Sequence, residues 1–352
     1  MEFGIFVTSQ PDPASEPYPH RGLHERVTAE ILESERLGYD VAWVAEHHFS
    51  NRYGIMPDVF TYLSYLAART SRIRLGAAVV TLPLYDPVRV VENLAFVDVL
   101  SQGRLVFGLG SGYRPYEFAG FGRDFERRHE IQEEAIELIL ELLHTGQSSH
   151  EGTFFKSTID GDYAVFPTSV QEPHPPLFMA AGSEHSATFA ARHGFGLFLS
   201  TLPSFESLAA QIDLYRTHLG EAPAPLDRNP ACGDVGIARW VYVAETDAAA
   251  KRDSKEGILR HLQGFAGPGT GGYLGQVSEK LSSHGFDYDE LVETTLLHGS
   301  PATVAARLRT LQKQTGLTSL LLHYPPYYGH ERAMRSIRLF AEQVMPQFRA
   351  AP

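Results

Sequence analysis

The sequence predicts a closed (β/α)8 barrel in one domain covering residues 1–352, and two observations lead to this fold class. Eight short apolar segments of strand length alternate with segments whose apolar residues recur at helical spacing. No change in composition divides the chain. A bare barrel needs about 250 residues, so the surplus of about 100 is assigned to insertions after strands 4 and 7, at about residues 148–176 and 264–297. A doubly wound sheet with a second domain is the alternative.

The predicted strands are apolar, and the one at residues 73–80 is also rich in β-branched residues, as expected of a parallel strand that is covered on both faces. They lie at residues 3–7, 41–45, 73–80, 105–110, 177–181, 195–200, 235–244 and 319–324. The predicted helices carry an apolar stripe and lie at residues 21–37, 58–71, 87–100, 131–142, 184–192, 205–219, 247–262, 301–314 and 331–348. Gly38 ends the first helix as a C-terminal cap, and Asp58 is suited to cap the second.

Charge and composition exclude several classes of function. With 30 Lys and Arg against 42 Asp and Glu, the net charge is −12, which disfavours nucleic-acid binding because that needs a basic surface. No apolar run approaches the ~20 residues that span a bilayer, and the amino terminus lacks the pattern of a secretory signal. Cys232 is the only cysteine, which excludes an internal disulfide and a cysteine-based zinc site. We therefore expect a reduced, cytoplasmic protein.

Candidate functional residues follow the strands, because barrel enzymes place their active sites at the carboxyl ends of the strands. After strand 2 come Glu46, His47 and His48. Neighbouring residues of an extended chain point in opposite directions, so one histidine ring is expected to face the pocket and exchange protons near neutral pH. The pair lacks the i,i+4 spacing of a helical zinc motif, which disfavours a metal site. A purely structural pair, with one histidine packed in the core and the other hydrogen-bonded at the surface, stays open as an alternative.

The end of strand 4 is rich in glycine. Gly110, Ser111, Gly112 and Tyr113 follow one another here. Glycine lets the backbone approach a flat ligand closely, although a simple tight turn would need the same residues.

The end of strand 5 leads directly into a helix. Ala181 and Gly182 precede Ser183, His185 and Ser186. The free amides and hydroxyls of such a helix start form an anion site, with helix capping alone as the plainer interpretation.

A longer set of short motifs occurs in order along the whole chain. It comprises Phe3-Gly4-Ile5-Phe6, Trp43, Glu46-His47-His48-Phe49, Leu82-Pro83, Asp86-Pro87-Val88-Arg89, Asp98, Ser101, Gly103-Arg104, Phe107-Gly108, Phe121-Gly122, Ala190-Ala191, Gly299-Ser300-Pro301 and Val344-Met345-Pro346. Each piece alone is a weak signal, and their common order is specific. In this set the chain resembles the bacterial luciferase-like, flavin-dependent monooxygenases, and within them the luciferase α subunits.

The resemblance implies a (β/α)8 barrel that binds FMN as FMNH2, which a separate NAD(P)H:flavin reductase supplies. In such enzymes O2 adds to the flavin as a C4a-peroxide, which oxygenates a small organic substrate. Aromatic and leucine residues at 82–85, 113 and 324–328 favour an apolar or aromatic substrate, with ordinary packing of these side chains as the alternative. The resemblance also implies a dimer through the helices after strands 2 and 3, with a homodimer expected and a heterodimer as the alternative.

The site residues implied by the resemblance fall into two groups, and no metal is implied. The catalytic group is His47, with Glu46 and His48 in support. The cofactor-binding group is Ala78, Val79, Gly110, Ser111, Gly112, Tyr113, Glu117, Ala181, Gly182, Ser183, His185 and Ser186. Ala78-Val79 occupies the place where the family often has a non-proline cis peptide, and residues 183–186 occupy the phosphate-binding segment.

The chain departs from the luciferase pattern at two positions. Gly110 stands where the luciferase α subunit has a reactive cysteine, and Ser111 where it has an arginine that binds the flavin phosphate. Phosphate binding is then left to Ser183, Ser186, backbone amides and a further candidate, Arg114. Light emission is therefore not implied, and oxygenation of another small molecule is the better interpretation.

Two other functions stay open. A deazaflavin (F420)-dependent oxidoreductase uses the same barrel, but its cofactor carries an acidic tail that the net charge of −12 disfavours. The other is a non-catalytic, flavin-binding partner subunit, and the intact Glu46-His47-His48-Phe49 motif argues against it.

Overall fold

The strands form a closed parallel barrel in the computed structural model, which describes residues 1–50, 53–221, 228–264 and 286–349. Within these ranges the strands are, in chain order, β1 (Glu2–Val7), β2 (Val41–Val44), β3 (Arg74–Thr81), β4 (Leu105–Gly110), β5 (Ser148–Glu151), β6 (Lys156–Ile159), β7 (Leu177–Ala180), β8 (Gly196–Leu199), β9 (Val235–Val243), β10 (Leu297–Gly299) and β11 (Ser319–His323). Eight of them run in the order β11-β1-β2-β3-β4-β7-β8-β9, and β9 pairs with both β8 and β11 to close the ring. The predicted (β/α)8 barrel is confirmed, and the open doubly wound sheet is wrong.

The helices surround this ring. In the same ranges they are α1 (Arg21–Arg36), α2 (Val59–Ala67), α3 (Pro87–Ser101), α4 (Pro115–Phe121), α5 (Arg128–Thr145), α6 (Glu184–Arg192), α7 (Phe205–His218), α8 (Asp247–Gln263), α9 (Tyr288–Thr294), α10 (Pro301–Thr315) and α11 (His330–Leu339). Asp58 caps α2 as predicted, accepting a hydrogen bond from the Thr61 amide at 3.1 Å. The predicted helix 331–348 ends early, since a π-helical turn and then a 3-10 turn containing Pro346 follow α11. Within the described ranges, no helix combines the length and apolar character needed to cross a membrane.

The three remaining strands lie outside the ring. β5 and β6 form an antiparallel hairpin within residues 148–176, the stretch predicted as the first insertion. The second predicted insertion, 264–297, lies largely outside the described residues. Its last part was expected to be irregular, but it forms α9 and leads into β10. Asp287 starts α9 by accepting a hydrogen bond from the Glu290 amide at 2.9 Å, and β10 then pairs with the end of β9.

Three aromatic side chains, Trp43, Phe178 and Phe198, fill the inside of the barrel, and we call them the aromatic plug. The rings of Phe178 and Phe198 are stacked with centroids 4.3 Å apart, and Trp43 meets Phe198 edge-on at 4.9 Å. Neighbouring strands make room for the plug with glycine. A Cβ atom at Gly4 would lie 2.4 Å from Trp43, and one at Gly76 would lie 2.1 Å from it. Phe198 is also part of the wall of a cavity at the carboxyl ends of the strands.

Candidate active site at the carboxyl ends of the strands

A cavity of about 530 Å³ lies next to the aromatic plug. Its volume suits a small cofactor with a substrate, since ligand pockets usually occupy about 300–1,000 Å³. The structure brings most of the predicted site residues together at its walls. Those that line it are Glu46, His47, Ala78, Val79, Gly110, Ser111, Gly112, Tyr113, Glu117, Ala181, Gly182, Ser183 and Ser186. Two predicted site residues, His48 and His185, lie away from the walls of this cavity.

His47 lines the cavity and is hydrogen-bonded to Glu117. Its Nδ1 lies 3.3 Å from Glu117 Oε1, and the same oxygen accepts a hydrogen bond from the His48 amide at 3.0 Å. Burial lowers the pKa of His47, although Glu117 opposes this effect. Burial alone would raise the pKa of Glu117, but the hydrogen bonds from His47 and from the His48 amide lower it overall. Near neutral pH, a neutral imidazole therefore donates Nδ1–H to a carboxylate and leaves Nε2 as a proton acceptor.

Glu46 is a second carboxyl group in the cavity wall, and both of its oxygens have a partner. Tyr85 donates its hydroxyl hydrogen to Oε2 at 2.7 Å, and His48 Nε2 lies 3.0 Å from Oε1. Burial raises the pKa of Glu46, while His48 and Tyr85 act in the opposite direction. His48 therefore lies behind Glu46, where its ring also packs edge-on against Phe121 at 4.8 Å. One of the two adjacent histidines lines the cavity, in agreement with extended chain geometry.

The start of α6 forms another part of the wall. Ser183 is the N-cap of this helix, and its Oγ accepts a hydrogen bond from the Ser186 amide at 3.2 Å. The remaining amides of the first turn and the helix dipole favour an anion at this end. His185 was expected near a bound phosphate, but it is exposed and lies 2.7 Å from Glu133 of α5. Its position on the helix turns it toward α5, away from the cavity.

Two basic residues of the wall, Arg128 and His129 at the start of α5, were missed by the sequence reasoning. Arg128 is the one Lys or Arg among the described residues that line the cavity. The sequence candidate for a phosphate-binding cation, Arg114, is instead buried and lies 3.8 Å from the centre of the Tyr53 ring. A signal for Arg128 was present, since this basic pair lies just before Ile131, where the amphipathic helix predicted after strand 4 begins.

The inner wall of the cavity combines small side chains with a polar pair. Thr8 Oγ1 lies 3.3 Å from His323 Nε2, and burial lowers the pKa of His323 to about 3, so this ring is neutral. The Ala78–Val79 peptide bond is cis, as the resemblance implies. Gly112 has a φ of +75°, and a Cβ atom there would lie 2.7 Å from Thr81, so this position requires glycine. Across the described ranges, no cluster of three His, Cys, Asp or Glu side chains is placed to hold a metal ion.

The sequence profile of the luciferase-like monooxygenases matches residues 1–319. The chain belongs to this family. The resemblance found in the sequence is thereby confirmed. The limonene 1,2-monooxygenase of Rhodococcus erythropolis is 27% identical to this luciferase-like monooxygenase over 359 residues, which cover 99% of our chain and 87% of the relative. The alkanal monooxygenase alpha chain of Photorhabdus luminescens is 30% identical over 182 residues, which cover 52% of our chain and only 49% of that relative.

Solved structures share the fold of this luciferase-like monooxygenase over nearly its whole length. The monooxygenase RslO1 of Streptomyces bottropensis superposes with a TM-score of 0.81 at 26% identity, covering 99% of our chain and 100% of the other. The oxygenating constituent of 3,6-diketocamphane monooxygenase from Pseudomonas putida, in complex with FMN, gives 0.82 at 19% identity and covers 99% and 98%. The F420-dependent tetrahydromethanopterin reductase of Methanopyrus kandleri gives 0.71 at 20% identity and covers 99% of both. At these identities the last two establish the fold alone.

Proposed function

We propose that this luciferase-like monooxygenase transfers one atom of O2 to a small apolar or aromatic molecule and uses FMNH2 as its reductant. One observation carries the proposal. The same cavity is lined by the start of α6 and Arg128, which suit a phosphate, and by the hydrogen-bonded pair His47 and Glu117, which suits proton transfer. When bound, the reduced flavin supplies the two electrons that convert the other oxygen atom into water.

The residues of the cavity fit such a cofactor. The amides at the start of α6, together with Ser183, Ser186 and Arg128, would hold its phosphate, because a helix start and a guanidinium both favour an anion. Ala78 and Val79 present small side chains, and residues 110–112 present glycine backbone, where a planar ring needs close approach.

His47 and Glu117 supply the proton chemistry. The carboxylate fixes the orientation and tautomer of the imidazole, so that Nε2 takes up or returns a proton at the reacting groups. Glu46 adds a carboxyl group that keeps its proton to a higher pH than an exposed glutamate, because burial raises its pKa. Tyr85 and His48 hold this carboxyl group in place.

We also propose that the protein is a cytoplasmic homodimer and that a separate NAD(P)H:flavin reductase supplies its FMNH2. The dimer is supported by apolar side chains that α2 and α3 expose: Tyr65 is 44%, Phe96 51% and Leu100 45% exposed. Exposed apolar groups on two helices that pack against each other are typical of interaction surfaces. Sedimentation of the purified chain as a monomer would contradict the homodimer, and co-purification with a related but different chain would indicate the heterodimer.

One observation favours a second candidate, an F420-dependent oxidoreductase. The cavity continues past α6 to the start of α7, where Ser204, Ser207 and Gln211 line it and leave room for a longer cofactor tail. The tail of F420 is acidic, however, and Arg128 is the one Lys or Arg among the described lining residues. A non-catalytic partner subunit is disfavoured because the buried His47–Glu117 pair is intact.

The test is an anaerobic titration with FMNH2, reduced riboflavin and reduced F420, followed by ¹⁸O2 and a panel of small apolar molecules. The proposal expects FMNH2 to bind more tightly than reduced riboflavin, which lacks the phosphate, and expects ¹⁸O in a product. Arg128→Gln should weaken the binding of FMNH2 and leave that of reduced riboflavin unchanged. Preferential binding of reduced F420, with hydride transfer and no ¹⁸O uptake, would overturn the proposal.

A further inference from the structure

Arg114 is a buried cation without a complete set of hydrogen bonds. The residue precedes α4 directly and is 2% exposed. Among the described residues, its Nε and Nη2 atoms have no hydrogen-bond partner. Burying a guanidinium in this way costs free energy, so stability alone is a poor reason for its presence. A buried polar group of this kind calls for a functional explanation.

The surroundings of Arg114 connect it to the candidate catalytic histidine through two aromatic rings, those of Tyr53 and Tyr113. The guanidinium carbon lies 3.8 Å from the centre of the Tyr53 ring and 5.0 Å from that of Tyr113. Tyr53 then meets His47 edge-on, with ring centres 4.5 Å apart, and Tyr113 meets it at 6.1 Å. The backbone carbonyl of Arg114 also accepts a hydrogen bond from the Glu117 amide at 3.0 Å. Arg114 therefore belongs to the same short segment as Glu117, the residue that is hydrogen-bonded to His47.

We propose that Arg114 is a positioning residue: its buried charge keeps the negative charge of the His47–Glu117 pair on Glu117, and its flat face holds Tyr53 against His47. The catalytic importance of this arrangement rests on the proposed function. The charge distribution itself does not, since it is a property of the chain without flavin, O2 or substrate.

Electrostatics supports both halves of this assignment. In the part of the chain that the structure describes, the titratable and charged groups that face His47 are Glu117, Arg114, His48, Tyr53 and Tyr113. Burial is the main cause of the lowered pKa of His47; Glu117 opposes it, and Arg114 adds to the lowering because two positive charges repel. Arg114 also helps to lower the pKa of Glu117 against the effect of burial, since it attracts the carboxylate. Removing this charge should therefore raise both pKa values.

A pair of substitutions separates the charge of Arg114 from its shape. Arg114→Gln removes the charge, whereas Arg114→Lys keeps the charge and loses the planar group that stacks on Tyr53. The pKa of His47 is measured in the full chain by NMR titration of ¹³C-labelled histidine, with the His47 signal assigned by its loss in His47→Ala. We expect the pKa of His47 to rise by about one unit in Arg114→Gln, because a unit charge is removed from a buried site close to the imidazole. We expect little shift in Arg114→Lys.

The same titration can overturn the proposal. An unshifted pKa in Arg114→Gln, or an equal shift in Arg114→Gln and Arg114→Lys, would reduce Arg114 to a packing role. If Arg114→Gln does not fold, as thermal unfolding would show, Arg114→Lys decides alone, because a shift of one unit in a variant that keeps the charge contradicts the proposal. In an active enzyme, the acid limb of the pH–rate profile should move upward by the same amount. A chain without monooxygenase activity would leave the NMR result standing, so the two proposals fail separately.

Discussion

Replacing His47 by alanine tests the assigned chemistry most directly. The residue is 6% exposed, lines the cavity and is bonded through Nδ1 to Glu117. The substitution removes the proton acceptor and leaves Ser183 and Arg128, which belong to another part of the wall, unchanged. A positioned acid–base group contributes about 10²–10⁴-fold to a rate, which corresponds to about 3–5 kcal/mol. We therefore expect kcat to fall within that range while the Kd for FMNH2 changes little.

The assay follows ¹⁸O incorporation and O2 consumption with FMNH2 supplied by a separate reductase, and an anaerobic titration gives the Kd. The matched control is His185→Ala, because His185 is exposed and bonded to Glu133 outside the cavity; its kcat should equal that of the unaltered chain. Thermal unfolding shows whether either variant has lost its fold. Full turnover in His47→Ala would refute the reasoning, and so would a loss of FMNH2 binding in parallel with the loss of turnover.

Two further predictions concern stability. Gly76→Ala should lower the free energy of unfolding by about 1–3 kcal/mol, because the added Cβ atom would lie 2.1 Å from Trp43. Denaturant unfolding measures this, and Gly22→Ala is the control because a Cβ atom there lies in open space on α1. Equal unfolding midpoints for Gly76→Ala and the unaltered chain would contradict the prediction. Acid should destabilise the fold below pH 6.5. Burial lowers the pKa of both His298 and His323 from 6.5 to about 3. Between these two pH values the unfolded chain binds protons at both histidines and the folded chain does not, so the unfolded state is favoured as the pH falls. Each of these histidines should remove about 1.4 kcal/mol per pH unit between the two values, and a Tm that stays constant from about pH 7 to about pH 5 would exclude this effect.

The barrel could be predicted because its apolar strands alternate with segments of helical periodicity along the chain. Residues 73–80 are a clear case, and they correspond to β3 (Arg74–Thr81). The regular structure between residues 286 and 299 escaped prediction because both elements are short. Within α9, seven residues give too few turns for a periodic apolar stripe, and β10 spans three residues.

Site residues could be predicted where they lie at or just after the end of a strand, as Gly110 and His47 do. Residues that a helix contributes were harder to assign. Arg128 stands beyond α4, so its proximity to α6 depends on how two helices pack and not on a strand end. His185 shows the converse: it belongs to the predicted segment, but the rotation of α6 directs it toward Glu133. Helix orientation is a tertiary property that a single sequence does not display.

The aromatic plug ties the choice of substrate to the stability of the fold. Phe198 packs on Phe178 and Trp43 on one side and faces the cavity on the other. A smaller side chain at this position would enlarge the space for a substrate and would also remove one of the two stacked rings. Truncating a buried phenylalanine lowers the free energy of unfolding by about 3–5 kcal/mol. Ser207 and Gln211, which line the same cavity from α7, are exposed or half-buried and carry no such penalty. We therefore expect substrate preference to change most easily through substitutions on α7, while the aromatic plug stays constant.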